Sequence, residues 1–321
     1  LSGKVCRLSF YTPFDPSSKK VWPKPKVYFE QALELDPDYA LARAGLATWY
    51  AQECAAFTIL PPAEALPRAK VEAERAIALD PDLGDGYAMV AWIEGMINWQ
   101  WESAEETARL GVERDPNSHP AWIVYNYLLS SQGRHEEGLA AVDRFVELDP
   151  LSLATLINAA QGYAQAGRLD EALEYAKRGE AMDSGFWGAT NLAWVLQCRG
   201  EHAEALAHLT RIQEQWEEIS RSSSAHVLAY TLGRAGSSAE FEGIAVQLEG
   251  RAAEGTATWT EVALAYMGVC EHERALDYLE KAPEQRPPGS YLTAFVAVDP
   301  LFAPIRDQPR FHQVLKRLGL Q

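Results

Sequence analysis

Within residues 151–184, LSLATLINAAQGYAQAGRLDEALEYAKRGEAMDS, apolar or small side chains stand at Leu153, Leu156, Ile157, Ala159, Ala160, Tyr163 and Ala164. That three-and-four spacing is one face of a helix. Gly167 follows where a helix ends in the left-handed conformation, and Asp170 opens a second helix two residues before Ala172. The pattern predicts two antiparallel helices joined by a tight turn. Ala and Gly at the contact positions let the two backbones approach, while Tyr163 projects between neighbours.

The pattern recurs. ALELDPDYALARAGLATWY from Ala32, AIALDPDLGDGYAMVAWIE from Ala76, GVERDPNSHPAWIVYNYLL from Gly111 and FVELDPLSLATLINAAQGY from Phe145 each end one apolar helix, pass an Asp-Pro and start another. Steps between successive aspartates are 44 (Asp36 to Asp80), 35 (to Asp115), 34 (to Asp149) and 34 (to Asp183, where Ser184 replaces Pro). Proline suits the first turn after a helix end, because it lacks the N–H that continuation would need. Each unit leaves an apolar face that only stacking on a neighbour can hide, so the fold class is an all-α solenoid of helix pairs.

These features resemble the tetratricopeptide repeat (TPR), whose 34 positions favour an aromatic, a leucine, small residues, a tyrosine and a late proline at fixed places. The last full unit matches most completely, with Trp259, Val262, Ala263, Tyr266, Ala275, Leu279, Ala282 and Pro287. Units are assigned at 39–81, 82–116, 117–150, 151–184, 185–218 and 256–287, with a degenerate one at 219–255 in which Phe241 replaces a small residue. KVYFEQALELDP reads as the second helix of a still earlier unit. The resemblance implies a right-handed superhelix of about seven repeats over 26–287. Residues 1–25, with Pro at 13, 16, 23 and 25, have no helical period and read as an irregular arm, native or a non-native replacement of a lost helix. Residues 288–321 read as capping helices: Asp299-Pro300 and Asp307-Gln308-Pro309 start them, Gly319 ends the second, and Phe302, Ile305, Phe311, Val314, Leu315 and Leu318 supply apolar contacts that would seal the last repeat.

Three landmarks carry a closer resemblance: LPPAEALPRAKVEAERAIALDP at 60–81, NWQWESAEETARLGVERDP at 98–116 and VDPLFAPIRDQPRFHQVLKRLGL at 298–320. They are similar to the C-terminal TPR regions of bacterial multidomain signalling proteins. In that group an adenylate cyclase, a serine/threonine kinase or a winged-helix DNA-binding domain precedes the repeats. The resemblance implies a regulatory or interaction module, standing alone or serving such an effector. This chain itself has no phosphate loop, kinase catalytic set or basic recognition helix.

Composition narrows the partners. A formal charge of −16 with few basic clusters disfavours nucleic acid and anionic membranes and favours a basic or amphipathic protein or peptide. No apolar run approaches the roughly 20 residues that span a bilayer. Cys6, Cys54, Cys198 and Cys270 fall in no metal or redox spacing, which fits reduced thiols and a cytoplasmic setting. The seven histidines are scattered, CEHE at 270–273 puts no pair on one helical face, and no catalytic set, metal site or cofactor motif emerges, so the chain is read as non-catalytic.

In stacked helix pairs of the TPR kind the first helices line the concave face, with repeat positions 2, 5, 9, 12 and 13 pointing into it. Position 9 gives Trp92, Tyr127, Gln161, Trp194 and Tyr230; position 5 gives Ile123, Ile157, Thr190 and His226; position 2 gives Trp187. Aromatic rings are favoured interface anchors, so this row is the candidate site for a peptide or protein segment. The competing reading packs the same rings against neighbouring first helices or the N-terminal arm. Asn158 and Asn191 fall at position 6, but position 9 lacks Asn and the groove lacks lysines, which disfavours acidic C-terminal tails as ligands.

Overall fold

The computed structural model describes residues 25–55, 60–285 and 291–320; the arm at 1–24 and Pro287 lie outside the described residues. Helix α1 (Pro25–Leu35) packs on α2 (Ala40–Ala55), and helix pairs then follow in order: α2 with α3 (Pro62–Leu79), α4 (Gly84–Trp92) with α5 (Trp101–Arg114), α6 (His119–Ser131) with α7 (His135–Leu148), and α8 (Leu153–Gln165) with α9 (Leu169–Met182). The series continues with α10 (Phe186–Cys198) and α11 (His202–Thr210), a short α12 (Trp216–Ser220), α13 (Ala225–Arg234) with α14 (Ser238–Ala253), and α15 (Trp259–Gly268) with α16 (His272–Leu279). Each first helix also touches the next first helix. The described residues contain no strand, and the architecture is the right-handed all-α solenoid that the repeat pattern predicts.

The recurring aspartate does more than mark a boundary. Asp36, Asp80, Asp115 and Asp183 each accept, through Oδ1, the backbone N–H two residues on, all at 3.1 Å. That bond closes the turn between one unit and the next. It also explains why Asp183 keeps the turn although Ser184 has replaced the proline. Within units, Gly133, Gly167, Gly200 and Gly236 hold φ of 74–81° at the end of the first helix, and Cys270 takes the same left-handed place with φ 60°.

The step from Asp80 to Asp115 is one residue longer than its successors. The surplus is absorbed where α4 runs directly into a π-helical turn, Ile93–Ile97, whose wider hydrogen bonding accommodates an inserted residue. Trp99, with φ 56°, then stands at the left-handed turn.

First helices pack closely because glycine sits at their crossings. A Cβ on Gly268 would lie 2.6 Å from Cα of Tyr230, so α13 and α15 cannot meet as they do with any larger residue there. In the degenerate unit Phe241 is buried and meets Tyr266 edge-on with ring centroids 5.6 Å apart, filling space that a small residue leaves elsewhere.

The C-terminal segment does not end at the last repeat. A 3₁₀ turn at Tyr291–Phe295 packs on the π turn, α6 and α15, and a second at Pro300–Ile305 packs on α10 and α15. Helix α17 (Pro309–Leu318) lies on α16, where Arg310 pairs with Glu273, Asp277 and Glu280 at 2.7–3.0 Å. Its far end meets the second helix pair: Trp101 Nε1 donates to the carbonyl of Leu318 at 2.8 Å, a contact 217 residues long in sequence.

Candidate functional site

The first helices turn one face inward, and the groove positions converge there on a single partly open cavity of about 120 Å³. Trp92, Tyr127, Ile157, Gln161, Trp187, Trp194 and His226 all line it, as does Thr190. Ile123 and Tyr230, also assigned to the groove from the repeat register, are buried but lie outside the lining.

The register does not reveal what covers the groove. Tyr291 stacks on Tyr127 (ring centroids 5.9 Å apart, planes at 20°) and meets Trp92 edge-on at 6.2 Å. Phe295 stands edge-on to Tyr127 at 5.6 Å. Trp92 retains 1% exposure and Tyr127 2%, so these two rings are core residues of the folded chain. The rings do pack internally, but against the C-terminal segment. Trp194 and Trp187, at 9% and 6% exposure, also line the cavity.

Several polar side chains at the site have defined partners. Tyr127 donates from its hydroxyl to Asn158 Oδ1, which fixes the asparagine, and Thr190 donates to the carbonyl of Phe186. His226 Nδ1 lies 2.9 Å from the carbonyl of Ser223, so Nδ1 carries the proton; burial holds its pKa down at about 4 and keeps the imidazole neutral. Asp299, which accepts from the N–H of Leu301 at 2.9 Å, lines the cavity, and burial pushes its carboxyl up to about 6. Burial likewise raises the Tyr230 phenol to about 12 and drives the Cys198 thiol well above its ordinary range. The phenol and the thiol stay uncharged at neutral pH.

Among the lining residues not assigned from sequence are Tyr291, Phe295 and Asp299 of the tail, and Gln165 of α8. Gln165 stands at position 13, which the groove rule already includes, so it was within reach of the repeat register. The tail residues belong to no repeat and carry no such signal. Among the described residues no cluster of His, Cys, Asp and Glu could hold a metal ion, and CEHE is simply the left-handed turn, with Arg234 Nη1 3.0 Å from Cys270 Sγ. No described helix is long and apolar enough to cross a membrane.

Neither a protein-family model nor a curated protein matches the sequence. Solved structures do match in shape. A chain of the APC/C hetero-tetramer Cut9–Hcn1 is 16% identical, covering 92% of this chain and 52% of its own, with a TM-score of 0.57. A human IFIT1 dimer with m7Gppp-AAAA is 13% identical, covering 92% of this chain and 74% of its own, with a TM-score of 0.56. YrrB, a TPR protein with an unusual peptide-binding site, is 23% identical over 50% of this chain and 76% of its own, with a TM-score of 0.32. At these identities the first two likenesses establish the fold alone, an all-α solenoid of helix pairs.

Proposed function

We propose that this chain is a non-catalytic recognition module that holds a basic or amphipathic polypeptide segment on the inner face of its solenoid. The observation that carries the reading is the chain's own tail: residues 291–295 lie in the groove with Tyr291 set against Trp92 and Tyr127. A groove that seats one short aromatic segment has the shape and chemistry to seat another alongside it. Trp187, Trp194 and Gln161 line the same cavity. A net charge of −16 steers basic segments toward the molecule. The free thiols of Cys198 and Cys270 suit a reducing, cytoplasmic setting.

The test is a peptide-display selection on the intact chain and on Gln161→Lys. Gln161 is only partly buried, so the added charge meets the ligand without disturbing the core. Peptides rich in Lys and Arg that bind the intact chain and are lost by Gln161→Lys support the proposal. Selected peptides that bind both proteins equally, or no enrichment at all, refute it.

A further inference from the structure

Part of the cavity lining is electron-rich. Trp187 and Trp194 supply π surface, and no Lys or Arg is among the lining residues. Asp299 is 6% exposed, and among the described residues no ion pair reaches its carboxylate; Arg306, the nearest guanidinium, donates instead to the Asp299 backbone carbonyl at 3.0 Å. Gln165, also 6% exposed, has its side-chain Oε1 buried without a hydrogen-bond partner, and Asn191 Oδ1 is in the same condition. Both line the cavity. Buried acceptors without donors cost free energy unless a ligand supplies the hydrogens.

We propose that this cavity binds an alkylammonium group, held by Trp187 and Trp194 and by the acceptors of Asp299, Gln165 and Asn191. An ammonium brings three N–H donors and no acceptor, which matches three acceptors and an aromatic wall. Its short alkyl stem suits a cavity of about 120 Å³. The group comes either from a Lys side chain of a bound peptide or from a free small amine. In the first case this proposal rests on the groove reading above and specifies its ligand; in the second it stands independently.

The test titrates the unaltered full chain with n-butylammonium and with its neutral counterpart n-butanol, following tryptophan fluorescence and heat. Butylammonium is expected to bind saturably, roughly tenfold or more tighter than butanol. Asp299→Asn, verified by circular dichroism, should bring butylammonium down to the butanol level. A parallel pair, Gly-Lys-Gly against its norleucine analogue, identifies the source: tighter binding of the Lys peptide than of butylammonium assigns the site to a peptide side chain, and no gain assigns it to a free amine. Equal binding of butylammonium and butanol to the unaltered chain overturns the proposal whether or not the variant folds. Display-selected peptides that need the groove but contain no lysine would exclude a peptide side chain as the source and assign the site to a free amine, leaving the peptide reading intact.

Discussion

Asp299→Asn tests how the buried tail carboxylate couples to stability. The folded chain holds this carboxyl near pH 6 against an ordinary 3.8, because burial disfavours the charge more than the Leu301 N–H and the nearby Arg306 favour it. A raised acid pKa means the folded state binds the proton more tightly. Stability is therefore gained as pH falls through 6 toward 3.8, and above 6 the ionised group costs about 3 kcal/mol at roughly 1.4 kcal/mol per pH unit. Asparagine keeps the acceptor that caps Leu301 but never ionises. The variant should gain about 3 kcal/mol relative to wild type between pH 4 and pH 7. His226 acts in the opposite sense: its pKa falls from 6.5 to about 4, so the unfolded chain protonates first and stability drains away as pH falls across that window. The two opposed contributions hide each other in the wild-type curve. Between about 4 and 6 both groups are neutral, so they form no ion pair and the difference curve reports Asp299. The other groups around Asp299, Cys198 and Tyr230, stay protonated throughout. Urea unfolding of both proteins, followed by tryptophan fluorescence from pH 4 to pH 7, makes the measurement. A difference that is flat with pH, or that shrinks as pH rises, would refute the burial argument.

Two further substitutions probe the architecture. Gly268→Ala places a methyl 2.6 Å from the Tyr230 Cα and should cost about 1–3 kcal/mol, whereas Gly250→Ala in α14, with nothing within 4 Å, should be neutral or stabilising; equal effects in chemical denaturation would show that helix crossing is not the constraint. Trp101→Phe keeps the ring but removes the donor to Leu318, so amides of α17 should lose hydrogen-exchange protection corresponding to about 1 kcal/mol. Unchanged protection there would mean that α16 alone holds the tail.

Much of the fold was legible because solenoid stability is a sum of nearest-neighbour terms written locally in each unit. The apolar stripe of 153–164 became α8, Gly167 became its left-handed end, and each Asp-Pro became a turn between units. The reason for the aspartate needed the structure, since only there does Oδ1 meet the N–H two residues on. The inserted residue in the 82–116 unit was countable beforehand, but its conversion to a π turn was not. At the site, the repeat register puts Trp92, Tyr127, Trp187 and Trp194 on one inward face, and all four line one cavity.

By itself, then, the sequence determined the helix pairs, their order and the inward row of aromatic positions, all of which follow from spacings of a few residues. The tertiary structure alone decided that Trp92 and Tyr127 would be sealed by Tyr291 and Phe295, that Asp299 would be buried beside the groove, and that Trp101 would hold the carbonyl of Leu318. The physical reason is range. Periodicity encodes contacts between adjacent units, but a tail folding back across them is fixed by shape and burial summed over the whole chain, and no local pattern carries that sum.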